Sequence, residues 1–360
     1  MIDLNRKTWA SLIVGLLFSA VALYLTFVNI PLRELIDYLK IINYWWVIPS
    51  LAVAFLSYVF RVWRWQIILL PVKKTGFWSA FHPVMIGFMM SSVFPGRVGE
   101  IARPAVFYKK ENVEFSKVLA TAGIDRIFDA AALLSFFIYI LAVVPIDPSL
   151  DITFASYHLT PALLDGLWKA TLKFSLVLVV VTLLISFSST RSVFNRIILK
   201  TPDVLFFAQQ PLREKLRTGL CTKITRLLDN FAVGFEILKN PLNLVLCLLL
   251  SFALWAMLGL ALYLLTFGFP GVQISFLQAF AVELIICFFI MLPSVPGYWG
   301  LWEAGGVFGL MIFGIPATEA AGLTLAYHFF HMVPVIIVGI GSAMIIGVKL
   351  VRTIPQETRG

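Results

Sequence analysis

Charge is what this sequence has little of. Only 13% of its 360 residues are Asp, Glu, Lys or Arg, against about a quarter in soluble proteins, and that scarcity excludes a soluble globular domain. With 60% apolar residues, 32 Phe and a mean hydropathy of +0.93, a disordered, collagen-like or coiled-coil chain is excluded as well. Cysteine is nearly absent. Cys221, Cys247 and Cys287 lie too far apart to suggest a disulfide framework or a zinc cluster. The sequence has no Gly-x-Ser-x-Gly, His-Glu-x-x-His, phosphate-binding loop or Asp-rich diphosphate motif, so no catalytic residue, metal ligand or cofactor is assigned.

What is present is the pattern of a polytopic membrane protein. A span needs about 20 apolar residues, and six stretches qualify: 9–28, 44–66, 118–144, 167–187, 241–267 and 320–347. Two more apolar segments, 77–94 and 276–292, end in Pro-Gly-rich turns and are followed by shorter apolar pieces, 101–108 and 301–315. Reading each pair as a re-entrant hairpin puts 23 of the 28 basic residues on the inner side, including nine in the loop 188–240. Both termini are then cytoplasmic. The net charge of +9 is read as this asymmetry and not as nucleic-acid binding. Leu32, Leu35, Ile36, Leu39 and Ile42 predict an interfacial helix beside Tyr44, Trp45 and Trp46. Leu212, Leu216, Leu220, Ile224, Leu227, Leu228 and Phe231 predict a basic amphipathic helix on anionic inner-leaflet lipids.

The two broken segments resemble each other. Ser92-Val93-Phe94-Pro95-Gly96-Arg97-Val98-Gly99-Glu100 stands beside Ser294-Val295-Pro296-Gly297-Tyr298-Trp299-Gly300-Leu301-Trp302-Glu303. Gly96 to Gly297 and Gly99 to Gly300 are both 201 residues apart, and Arg126-Ile127-Phe128-Asp129 matches His328-Phe329-Phe330-His331 at 202. The expected fold is therefore an all-α integral membrane domain of about six full spans and two re-entrant hairpins. It is arranged as inverted repeats over 44–144 and 241–348 of a single domain. Paired Gly/Pro-interrupted segments in inverted halves point to a substrate site near the midplane, because unwound backbone in hydrocarbon must line a polar cavity.

Ionisable residues inside a membrane are functional candidates by default. Arg97, Glu100 and Arg103 flank the first turn, and Glu100 and Arg103 share a helical face. With Gly99, Arg126, Asp129, Gly297, Gly300 and Glu303 they form the expected substrate-binding set, suited to an anionic head group. Glu303 lies in a half, 240–348, that has no Lys or Arg. With His328 and His331 it is a candidate proton relay; Glu283 is a further cavity acid. Arg61 and Arg64, near the end of their span, are expected to snorkel to phosphates.

Phe94-Pro95-Gly96-Arg97-Val98-Gly99-Glu100-Ile101-Ala102-Arg103, then Asp125-Arg126-x-x-Asp129, then Pro293-Ser294-Val295-Pro296-Gly297 leading to Gly300 and Glu303, resemble the flippase-like membrane domain of the lysylphosphatidylglycerol synthase family. The chain looks like a stand-alone membrane member without the soluble aminoacyl-transfer domain. The resemblance implies an inner-membrane translocase for an anionic or glycosylated lipid, including polyprenyl-phosphate-linked ones, with membrane lipids as partners. Ser91 and Ser92 stand where the family pattern suggests an Asn, and Tyr298-Trp299 replace a smaller pair. A proton-coupled transporter of a small anion and a membrane-embedded lipid-modifying transferase are the alternatives.

Overall fold

The computed structural model describes residues 6–28, 30–144, 152–154, 157–159, 188–204, 210–222, 224–225, 240–291 and 296–348, with isolated positions 166, 169 and 173. Those residues are helical apart from turns and one short antiparallel pair, β1 (Ile152–Phe154) and β2 (Tyr157–Leu159). Four helices are long and apolar enough to cross a membrane: α3 with its preceding 3-10 turn (Tyr44–Leu69), α6 (Phe115–Val143), α9 (Pro241–Thr266) and α12 (Ala317–Ile345). They coincide with four of the six expected spans. The expected span 9–28 falls in α1 (Arg6–Phe27), and 167–187 lies outside the described residues apart from isolated positions. The chain is a multi-pass membrane protein.

Local sequence explains where several helices begin. Asn240 accepts hydrogen bonds from the amides of Leu242 and Asn243 with Pro241 in the first turn, and Ser275 and Gln278 form a reciprocal capping box for α10 (Phe276–Phe289). Asn112, in the left-handed conformation, ends α5 (Gly99–Glu111).

The short helix α2 (Leu32–Lys40) meets the second part of α1 at 84°. Its apolar stripe is divided in a way that spacing alone does not reveal: Leu35 and Ile42 are buried, while Leu32 and Ile36 are exposed. Tyr38 anchors the inner side by donating its hydroxyl to Pro270 O at 2.8 Å. In the basic segment, α7 (Ser188–Val204) is followed by α8 (Gln210–Leu216), which runs into a π-helical turn, Arg217–Cys221. That turn breaks the 3.6-residue period of the expected amphipathic stripe, and Leu220 is exposed. Leu227, Leu228 and Phe231 lie outside the described residues.

Helix α3 packs antiparallel to both α9 and α6. Along α3 and α9, Asn43 N donates to Gly268 O at 2.9 Å, Ser50 Oγ to Ala261 O at 2.7 Å and Arg64 Nη1 to Ser251 Oγ at 2.7 Å. As one number rises the other falls. Along α3 and α6, Arg61 meets Asp129, Arg64 meets Asp125 and Trp65 meets Thr121 in the same opposed order.

Between these helices lie two hairpins, α4 (Phe77–Val93) with α5, and α10 with α11 (Leu301–Ile312). Their 17, 13, 14 and 12 residues reach at most about 26 Å at 1.5 Å per residue, short of the ~30 Å of a hydrocarbon core. Glycine lets each pair fold back closely. A Cβ on Gly99 would sit 1.8 Å from Gly87 O, and one on Gly305 3.0 Å from Ile286 Cα. The base of the first hairpin is closed by Lys73 Nζ, 2.9 Å from Glu111 Oε2. At the base of the second, a Cβ on Gly271 would lie 3.6 Å from Glu319 Cγ. Since the start of α3 adjoins the end of α9, the two bases lie at opposite ends of that helix pair.

The tips meet between the halves. Arg97 Nη2 donates to Ile290 O at 2.8 Å, and Gly297 comes against Ser92 O. Backbone conformation repeats at the matched positions: Gly96 and Arg97 have φ of 75° and 54°, Gly297 and Tyr298 64° and 60°. Two successive left-handed residues, one of them not glycine, are uncommon.

Candidate functional site

Most of the buried charge lies beside the first hairpin, on α3 and α6 as well as α5. Arg103, on the first turns of α5, points into the helix bundle, its Nη1 donating to Asp125 Oδ2 at 2.7 Å and its guanidinium lying 3.8 Å from the Trp65 ring centre. Asp125 also accepts from Arg64 Nε at 2.8 Å. Asp129, one turn further along α6, is 2.8 Å from Arg61 Nη1 and from Arg64 Nη2, 3.1 Å from Arg126 Nη1, and accepts from Trp255 Nε1 of α9 at 3.2 Å. Glu100 Oε2 lies 3.6 Å from Arg126 Nε. Four guanidinium groups therefore face three carboxylates, Asp125, Asp129 and Glu100, and one positive charge is in excess.

A small cleft opens onto this cluster, lined by Gly87, Ser91, Gly99, Glu100, Arg103 and Arg126, with Val84 and Phe88 as its apolar wall. Arg103 is 4% exposed, yet its Nε and Nη2 have no hydrogen-bond partner among the described residues. Buried polar groups are ordinarily paired, so these two enclosed N–H groups retain hydrogen-bonding capacity that no described residue fills. The geometry suits a planar or tetrahedral oxyanion, which a guanidinium binds through two parallel hydrogen bonds.

One sequence expectation is corrected here. Arg61 and Arg64 do not snorkel: they are 4% and 0% exposed and turn inward, because two carboxylates at i, i+4 on α6 offer charge pairing where lipid offers none. Glu100 and Arg103 do not pair with each other along α5 but with Arg126 and Asp125 of α6.

The second tip is chemically different. Glu303 is fully buried; its Oε2 accepts from the Gly300 amide at 2.6 Å and its Oε1 lies 2.6 Å from His328 Nδ1. The amide that an isolated helix start would offer to an anion is thus taken by the chain's own carboxylate. Gly300, with φ of 88°, is pressed against Ala22 of α1, and Ser19 Oγ donates to Trp299 O at 2.7 Å. His328 stacks on Trp302 (4.7 Å, 8°) and against Trp299 (4.4 Å). His331 lies among Tyr58, Trp302 and Tyr327, and Glu283 accepts from Tyr327 Oη at 3.0 Å.

The structure thus gathers Gly99, Glu100, Arg103 and Arg126 at one cleft, with Asp129 paired to Arg126. It places Arg97 on the carbonyl end of α10 and sets Gly297, Gly300, Glu303, His328 and His331 in the other half. Sequence reasoning missed Trp65, Ser251, Trp255, Tyr58 and Tyr327. Ser251 and Trp255 stand four residues apart on α9, which is one helical face. That was the available signal, but without the register of α9 on α6 nothing marked the face as polar. No group of three or more metal-ligating side chains is found among the described residues.

A family model described as "Lysylphosphatidylglycerol synthase TM region" matches residues 12–339. No curated protein and no solved structure matches the chain.

Proposed function

The chain belongs to the lysylphosphatidylglycerol synthase transmembrane-region family, and we propose that it moves lipids between leaflets of a bacterial-type inner membrane, accepting an anionic or glycosylated head group at the first hairpin's cleft. The acyl or prenyl chains stay in the bilayer while the head group crosses through the polar interior. In this reading α4–α5 and α10–α11 are re-entrant hairpins of two inverted repeats, one opening to each side. The closed bases at opposite ends of α3–α9 and the repeated left-handed pairs at the tips support it. Both termini lie on the cytoplasmic side, and the basic segment 188–240 rests on anionic lipids.

The observation that carries the proposal is Arg103: a buried guanidinium with two unpaired N–H groups, on a cleft that also presents Glu100 and Arg126. A buried cation already neutralised on every side would be structural; this one has capacity left. Arg103→Lys keeps the charge but removes the fork. The expected result in vesicles containing the purified protein is loss of most transbilayer movement of fluorescent phosphatidylglycerol, with a single symmetric size-exclusion peak retained. Full movement in Arg103→Lys would remove the cleft from the translocation path.

A further inference from the structure

The two hairpin tips hold corresponding acid–base pairs of different chemistry. In the first half, Glu100 at the start of α5 faces Arg126 of α6 at 3.6 Å. In the second, Glu303 at the start of α11 faces His328 of α12 at 2.6 Å, and Arg126 and His328 are the residues matched at an offset of 202. An arginine holds its charge at every accessible pH, whereas an imidazole changes charge near neutrality. The same station is therefore fixed in one half and switchable in the other.

We propose that the Glu303–His328 pair carries one proton per cycle and couples lipid movement to a proton gradient, an inference that rests on the translocase reading above. The proton comes from water on one side, adds to the His328 imidazole and is returned to water on the other side. The pair alternates between a net charge of −1, carboxylate with neutral imidazole, and zero, carboxylate with imidazolium. Both side chains are buried, at 0% and 1% exposure, in a half whose residues 240–348 include no Lys or Arg. A lone buried anion is costly there, so the loaded form suits the buried tip and the unloaded form favours a tip opened to water.

The pair is also attached to the part that would move. Glu303 Oε2 holds the Gly300 amide while its Oε1 meets His328, and Gly297, Tyr298 and Gly300 all have left-handed φ, so a change of charge on His328 reaches, through Glu303, a turn few sequences adopt. The stacked rings of Trp299 and Trp302 hold the imidazole in register. Around the pair, His331 shares the Trp302 ring with His328 and is bordered by Tyr327 of α12 and Tyr58 of α3; Glu283 of α10 joins this layer through Tyr327, and the cations of the surrounding elements are Arg61 of α3 and Arg97 of the first tip. Glu283 is held by Tyr327, Arg97 by Ile290 O and Arg61 by Asp129; His331, three residues along α12 and on the same Trp302 ring, is the group that in this proposal hands the proton to His328.

The test uses vesicles of phosphatidylcholine and fluorescent phosphatidylglycerol containing the full chain, with and without a gradient of about one pH unit. The wild-type protein is expected to move the probe several-fold faster in one gradient direction than in the other. His328→Arg, which gives the second half the fixed pair of the first, is expected to lose that directional difference, and His328→Gln serves the same comparison if the arginine variant does not fold. Probe movement by the wild type at equal rates in all conditions would overturn proton coupling and leave the translocase standing. A directional difference retained in a folded His328 variant would also overturn it. No probe movement by the wild type in any condition would overturn both readings.

Discussion

Arg64 shows how a single side chain ties the halves together. It is fully buried, donates to Asp125 of α6 and Ser251 of α9, and lies 2.8 Å from Asp129. Removing one partner of a buried charge network leaves the others desolvated and unpaired, which costs about 3–5 kcal/mol. Arg64→Ala is therefore expected to unfold at markedly lower temperature than the wild type in the same detergent. Arg97→Ala should cost less, because the Ile290 carbonyl it releases is neutral and lies at a half-buried tip. Equal shifts for the two variants, read by the temperature of half-aggregation, would mean that the arginine–aspartate cluster is hydrated.

For the first hairpin, the element's stability depends on its base as well as its glycine-packed stem. Burial pushes the Glu111 carboxyl up, but its hydrogen bonds from Lys73 and Ser79 and the Lys73 charge outweigh this and hold it below its usual 4.5. A depressed carboxyl contributes stability that is present above its usual value and is lost as pH falls through the depressed one. Lys73 is 41% exposed, so solvent screening limits the contribution to under about 1 kcal/mol. Wild-type protein should lose slightly more thermal stability than Glu111→Gln on acidification below 4.5. Parallel curves would mean that the ion pair does not clamp the hairpin. The second hairpin has no such pair among the described residues at its base, where Tyr38 and Pro270 meet instead.

At the scale of the whole molecule, the opposed bases of the hairpins make topology testable. Lys110 and Gln273 are both exposed, the first beside the base of α4–α5 and the second beside the base of α10–α11. Cysteines at these positions, in a background without Cys221, Cys247 and Cys287, are expected to react with an impermeant maleimide from opposite sides of the membrane. Gln273 should label in intact cells and Lys110 only after permeabilisation. Labelling of both from the same side would remove the inverted arrangement and the alternating opening that depends on it.

Composition and hydropathy by themselves determined that the chain is a membrane protein, where its four long apolar helices lie among the described residues and where the hairpins break, because hydrocarbon tolerates so few polar residues that each exception stands out. The spacing of Gly96, Arg97 and Gly99 against Gly297, Tyr298 and Gly300 already paired the two tips. Only the tertiary structure decided which charges meet. Arg61 and Arg64 read as ordinary end-of-span cations until α3 was set antiparallel to α6, and the sequence named both His328 and His331 for Glu303 where the packing of α12 chose His328. Ion pairing between helices depends on rotation and register, which differ by about 100° for each residue of slip. A span's apolar composition carries almost no trace of either.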